Sequence, residues 1–311
     1  MSTDTVLPQS TSVIICCYTT DRWDDLCTAV ESVRRQLGSD GELIVCVDHN
    51  TALFDRARIE FSSTRVIQNT QSPGLSGARN CAVAEATGQI VVFLDDDAAP
   101  GPGWLAALVG PFAHRNVKAV GGTAEPSWPQ RRPGWFPSEF DWVVGCSYRG
   151  LPARRTPIRN VMGCNMAIHR SVFEAGLRFE TSVGRTATSA DGCEETMLCI
   201  RLRQMWPDAE VLFEPKATVR HRVPAQRCSW SYFARRCYAE GRSKARVSAF
   251  VGSTDALQSE WTYTRRVLPT GIRRGLRDAA MGKASGLGRS GAIVAGLGIT
   301  SLGYLRGRYG R

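Results

Sequence analysis

The sequence predicts an α/β protein with a mostly parallel central sheet flanked by helices, followed by a basic helical extension. Three observations carry that prediction. Short apolar runs rich in β-branched residues alternate with stretches of helical periodicity, at the spacing of βαβ units. The 311 residues are 43% hydrophobic and 22% charged, a globular composition with enough chain for a large core. Charge is divided along the chain: residues 1–215 hold 20 Lys and Arg against 25 Asp and Glu, whereas residues 216–311 hold 19 against 4.

The elements follow in order. "SVIICCY" (12–18) is a buried strand. "DRWDDLCTAVESVRRQL" (21–37) spaces Leu26, Ala29, Val30 and Val33 helically, with acids early and arginines late as the helix dipole prefers. "GELIVCVDHN" (41–50) is a second strand and "TRVIQN" (64–69) a third. "SGARNCAVAEATG" (76–88) reads as a helix closed by its glycine, and "QIVVFLDDD" (89–97) as a fourth strand. "EPSWPQRRPGWFPSEFDW" (125–142), dense in Pro, Trp and Phe, reads as a long loop or flap. "NVMGCNMAIHRSVFEAGL" (160–177) is a strand turning into a helix, "SADGCEETMLCIRLRQMWP" (189–207) a glycine turn and then a helix, and "AEVLFEPKATVRHRV" (209–223) a strand. These elements are expected to make one catalytic domain over residues 1–224, with an extension over 225–311.

In the extension, "SWSYFARRCYAEGRSKARV" (229–247) combines aromatic residues with arginines at helical spacing, which suits a membrane interface. "SGAIVAGLGITSLGYL" (290–305) is uncharged. As a helix it spans about 24 Å against a bilayer core of about 30 Å, so it predicts an in-plane or re-entrant segment, or a docked helix, rather than a full span. The eleven cysteines show no CxxC pair, and several lie in apolar runs, which predicts reduced buried thiols in a cytosolic protein. The N-terminal stretch lacks the basic and apolar regions of a signal peptide.

Three strands end in polar clusters, Tyr18–Thr19, Asp48–Asn50 and Asp95–Asp97. In a parallel sheet such ends converge on one edge, where ligands bind. A strand that delivers three consecutive aspartates is built to hold a hard cation, Mg²⁺ or Mn²⁺, which takes oxygen ligands and neutralises a diphosphate leaving group. The bland reading is an acidic turn before the helix that starts near Trp104; Pro100 and Pro102 stand between the acids and that helix.

"SVIICCYTTDR", "VDHN", "GLSGARN", "FLDDD", "GCNMAIHR" and "GCEETMLCIRL" occur in the order found in family-two glycosyltransferases with the GT-A fold, a Rossmann-like architecture. The resemblance covers about residues 12–222. "CYTTDRWDDL", "VDHN" and "HRVPAQRCSWSYFARRCYAEGRSKA" look most like a membrane-associated subgroup that includes glucosyl-dolichyl-phosphate glucuronosyltransferases. The resemblance implies nucleotide contacts from Tyr18, Thr19, Asp48, Arg79, Asp95 and Asp96, with Asp96 on the ribose. It implies metal ligation by Asp97 and His221, and a turn near the donor sugar at Gly163 and Asn165. Cys16 and Cys17 replace the family's usual Pro-Thr, which alters the turn after the first strand. Glu195 matches the general base, with Glu194 as the alternative; the family's acid there is aspartate, one methylene shorter.

The expected function is metal-dependent, inverting transfer of a sugar from a nucleotide-sugar donor, UDP-linked, to a lipid-linked or other glycan acceptor. The expected place is the cytoplasmic inner face of the cell membrane, with membrane-surface contact and no nucleic-acid partner. A nucleotidyltransferase using the same metal logic and a non-catalytic membrane-binding module are the rivals. No GxxxxGK[ST] phosphate loop is present, which argues against an ATPase.

Overall fold

The structure, a computed structural model, describes residues 10–182, 192–252 and 260–310. Among these, the chain forms two compact units. One comprises residues 10–123, 154–182 and 194–220; the other comprises 124–153, 192–193, 221–252 and 260–310.

The first unit is the α/β part. Strands β1 (Thr11–Cys17), β2 (Gly41–Val47), β3 (Arg65–Gln68) and β4 (Ile90–Asp95) run parallel. Helices α1 (Trp23–Arg34), α2 (Thr51–Glu60) and α3 (Leu75–Glu85) link them. Val13, Ile14 and Ile15 are consecutive and all buried, which is why β1 reads as a continuous apolar run: helices cover both faces of a parallel sheet. Helix α2 gives little signal in the sequence, because it buries only Leu53 and Ala57. Its start is set by Asn50, whose Oδ1 accepts from the Leu53 amide at 3.0 Å. Helix α3 ends at Glu85 without help from Gly88. That glycine instead lies against β1, where a Cβ would stand 2.5 Å from the Ser12 nitrogen.

Strands β5 (Ala98–Pro100), β6 (Val117–Ser127), β7 (Thr156–Pro157), β8 (Asn165–His169) and β9 (Glu210–Arg222) complete the sheet. The order is β3-β2-β1-β4-β8-β6-β9-β5, with β7 on β9. Strand β8 is antiparallel to both β4 and β6. Helices α4 (Trp104–Val109), α5 (Ser171–Glu174) and α6 (Glu194–Met205) pack in this unit. The core joins Ile14, Ile44, Phe93, Met166 and Leu198. The register that opposes Cys16 to both Cys46 and Asp95 brings the carboxyl ends of β1, β2 and β4 level along one edge.

The second unit is helical: α7 (Trp230–Val251), α8 (Leu268–Ala280) and α9 (Ser285–Tyr309). The Pro/Trp/Phe-rich stretch belongs to its core rather than forming a free flap. Phe136 and Phe140 are buried and pack on Phe233 of α7 with ring centroids 5.5 and 5.3 Å apart. Residues Ser138–Val144 make a short 3₁₀ helix. The aromatic side of α7 is therefore largely occupied within the protein. The glycine-rich run of α9 packs on α7 through its small residues. A Cβ on Gly241 would come 2.1 Å from the Thr300 carbonyl oxygen, and one on Gly303 would come 2.2 Å from that of Tyr238. Only glycine lets the two backbones approach so closely. Among the described residues, no helix is long and apolar enough to cross a membrane.

Candidate active site

The acid-tipped edge of the sheet holds two stations, each organised by one arginine. The first is Arg79, on α3 and only 2% exposed. Its Nη1 donates to Glu194 Oε1 at 2.9 Å; its Nη2 donates to the Gly163 carbonyl at 2.8 Å and to Asp95 Oδ1 at 3.3 Å. The rings of Phe93 and Phe179 flank the guanidinium. Burial works against the charge of Arg79, but Glu194 and Asp95 outweigh it and raise the group above its ordinary value. Glu194 is buried at the start of α6, and its second oxygen, Oε2, has no hydrogen-bond partner. Glu195, the next residue, is half-buried. In the turn before α6, Cys193 is left-handed, at φ 80°.

The second station is Arg22, in the short 3₁₀ turn after β1. Its Nη1 donates to Asp96 Oδ1 at 2.8 Å and lies 3.1 Å from Asp97 Oδ2. Both aspartates are buried just beyond the end of β4, whereas the Arg22 side chain keeps 20% of its surface exposed. Burial, together with the neighbouring charge of Asp97, pushes the Asp96 carboxyl up to about 7 against the pull of Arg22. Asp96 Oδ2 is buried with no hydrogen-bond partner. Two buried adjacent carboxylates require a positive charge, and here a guanidinium supplies it. That donor set, all oxygen and acidic, fits a hard divalent cation.

Toward β2, Asp48 fastens the loops around the edge. Its Oδ1 accepts from Asn69 Nδ2 at 2.7 Å and its Oδ2 from the Gly74 amide at 2.8 Å. Tyr18 is exposed at 45%, with the Arg22 guanidinium 5.5 Å from its ring centroid, and its carbonyl accepts from Asn50 Nδ2. Thr19 Oγ1 accepts from the Asp21 amide and caps the turn that carries Arg22. Cys17 is buried beside these acids; burial first, then Asp96, drives its thiol well above the ordinary value, so it stays neutral.

The first unit thus brings together Arg79, Asp95, Gly163 and Glu194 in one network, and Asp96 and Asp97 in a second. Asn165 takes a structural place. Its Oδ1 accepts from Trp104 Nε1, and its Nδ2 donates to the carbonyls of Thr123 and Ala217, tying β8 to β6, β9 and α4. His221, in the second unit, is buried near the end of β9, with Nδ1 3.7 Å from Cys146 Sγ. Sequence reasoning missed Arg22 and Asn69. A signal for Arg22 existed, since it is the only Lys or Arg within five residues after β1, β2 or β4.

A mostly parallel sheet flanked by helices is the fold of a GT-A glycosyltransferase, and here it carries buried aspartates after β4 and the two glutamates that open α6. Residues 12–177 match the glycosyl transferase family 2 sequence family; the chain belongs to it and is a glycosyltransferase. It is 32% identical over 237 residues to the glucosyl-dolichyl phosphate glucuronosyltransferase of Haloferax volcanii, a match covering 75% of each chain. It is 26% identical over 200 residues to the succinoglycan biosynthesis protein ExoM of Rhizobium meliloti, covering 64% of this chain and 60% of that one. Among solved structures it shares its fold with the mannosyltransferase PcManGT of Pyrobaculum calidifontis, in complex with GDP-Man and Mn²⁺. The TM-score is 0.61 at 16% identity, over 95% of this chain and 88% of that one.

Proposed function

We propose that the protein transfers a sugar, with inversion at the anomeric carbon, from a UDP-linked donor to a hydroxyl of a lipid-linked acceptor at the cytoplasmic face of the cell membrane. The observation that carries this reading is the buried Asp96–Asp97 pair bridged by a guanidinium, a site that demands a cation. The name of the Haloferax relative supports the lipid-linked acceptor.

In this reading Asp97 would hold Mn²⁺ or Mg²⁺, Asp96 takes the ribose, and Asp95, Asp48, Tyr18 and Thr19 surround the nucleotide, with Arg79 holding Asp95 in place. The metal, when bound, supplies Lewis-acid neutralisation of the leaving diphosphate. Glu195 removes the proton from the acceptor hydroxyl as that oxygen attacks the anomeric carbon. Glu194 is the weaker candidate for that proton, because Arg79 already holds one of its oxygens. Arg79 acts by fixing the start of α6 on the end of β4. Gly163 contributes its carbonyl to Arg79, and Asn165 holds the sheet behind the site.

The test is Asp97→Ala. A nucleoside diphosphate titrated into both proteins, with and without Mn²⁺, is expected to bind the wild type more tightly with metal, and the variant equally weakly either way. Metal-dependent affinity that survives in the variant would remove Asp97 from the metal site.

A further inference from the structure

We infer that the outer face of α9 is a membrane-docking surface that lies in the plane of an anionic lipid leaflet. This deepens the lipid-acceptor reading, but its test needs neither donor nor acceptor, so the two fail separately.

The inference begins with the two sides of α9. One side is committed to the protein: Gly296, Gly303 and Ile293 are buried against the rest of the helical unit. The other side is apolar and faces outward. Leu287, Val294 and Leu302 are each 59% exposed and Leu305 52%, with Leu297 at the margin. At 100° per residue, Leu287, Val294 and Leu305 fall on one line along the helix, and Leu302 lies beside it. From Leu287 to Leu305 no exposed position on α9 carries a charge. The stripe is about 27 Å long. Helix α8 packs alongside, tied by Ser290 Oγ donating to the Ile272 carbonyl and by the Arg289–Asp278 ion pair, and adds exposed Leu276 and Met281.

Charge selects the occupant. Residues 268–309 carry seven Lys and Arg against one Asp. Arg273, Arg277, Lys283, Arg306 and Arg308 are exposed around the apolar stripe. A second copy of this chain would bring the same positive charge to the same face and be repelled, whereas an anionic leaflet is complementary. An apolar stripe with basic flanks is the pattern of a helix buried about 5–10 Å into the headgroup boundary. The α7 helix, which its sequence also marks as a membrane element, does not supply this face, because Phe233 and Cys237 are in the core of the helical unit and Gly241 meets α9.

The full-length protein would be floated with phosphatidylglycerol/phosphatidylcholine vesicles and with phosphatidylcholine vesicles alone, at low and high salt. The wild type is expected to prefer the anionic vesicles and to keep a salt-resistant fraction. Val294→Asp with Leu302→Asp should lower partitioning at least about tenfold and remove the salt-resistant fraction. Arg306→Ala with Arg308→Ala should lower binding only at low salt. This second pair, at exposed positions, and a melting curve for each variant separate lost docking from lost folding. Two results would overturn the inference: binding of the aspartate variant equal to wild type, or a wild type that ignores anionic vesicles at low salt. Self-association of the wild type that the aspartate variant abolishes, without vesicle binding, would assign the face to a second copy instead.

Discussion

Arg79 and Arg22 perform the same electrostatic task a short distance apart along the sheet edge, and their burial separates their roles. Each bridges two carboxylates at the sheet edge, both buried for Arg22 and one buried and one half-buried for Arg79. Arg79 is enclosed, flanked by two aromatic rings, and engaged with a main-chain carbonyl as well as both acids. Arg22 reaches its acids from a surface turn and retains some exposure, with its guanidinium against both acids and 5.5 Å from the Tyr18 ring centroid. A fully buried guanidinium with three fixed partners is structural; a half-buried one held by two acids is the more exchangeable. A cation site at the end of β4 requires the exchangeable kind.

The largest loss is expected from Arg79→Ala. It leaves Asp95 and buried Glu194 without their counter-charge, and removing one member of a buried pair costs about 3–5 kcal/mol. Urea unfolding with and without Mn²⁺ reads it: the loss should persist with metal present. A metal-rescued Arg79→Ala would mean that the two stations are electrostatically one. Next in size is Glu195→Gln, which should lower kcat by about a hundredfold, the usual scale of acid–base catalysis, with donor affinity kept. A fully active Glu195→Gln beside an inactive Glu194→Gln would move the base to the residue that Arg79 holds.

The sequence made the first station partly legible and hid the rest of it. Strands β1, β2, β4 and β9 announce themselves through consecutive apolar residues, and Asp95 ends β4 with Asp96 and Asp97 directly after it, so that a cation site could be read from them. Arg79 came from the resemblance of its motif. Its partners could not be read, because Glu194 is 115 positions away and Gly163 contributes only its backbone. Helix α2 escaped notice because two buried residues make no stripe. The stretch 125–142 lacks a regular helix, as its prolines predict, but its place in a core was not legible. Proline excludes a regular helix but says nothing of whether Phe136 and Phe140 are buried. Asn165 shows the converse, a motif residue whose amide is spent on the sheet.

The helical unit holds a third acid between basic groups, and its charge responds to pH. On α7, Glu240 lies between Arg236 at 3.1 Å and Lys244 at 3.3 Å. Burial alone would raise its carboxyl, but Lys244 and Arg236 prevail and bring it from 4.5 to about 2. A depressed acid contributes stability that is fully present above about 4.5 and is lost as pH falls through about 2, at most of order 3 kcal/mol. Glu240→Gln should therefore be less stable than wild type at pH 7, with the gap closing as pH falls below 4.5. A gap that stays constant down to pH 2 would show that Glu240 acts through packing rather than charge.

The smallest expected effect belongs to Arg22→Gln, and it tests the comparison most directly. Removing the guanidinium leaves Asp96 and Asp97 adjacent and buried, which disfavours the metal-free fold. The loss is nevertheless modest, about 1–2 kcal/mol, for two reasons: Arg22 is partly solvated, and Asp96, already pushed up to about 7, can take a proton instead. With Mn²⁺ present the outcome should reverse. In the proposed reading a bound metal would compete with the guanidinium for the Asp97 carboxylate, so the variant should bind Mn²⁺ more tightly than wild type and recover its melting temperature on doing so. Calorimetric Mn²⁺ titration and paired melting curves measure both without turnover. Were Arg22→Gln to bind Mn²⁺ more weakly, Arg22 would be an organiser of the acids like Arg79, and burial would not be what distinguishes the two arginines.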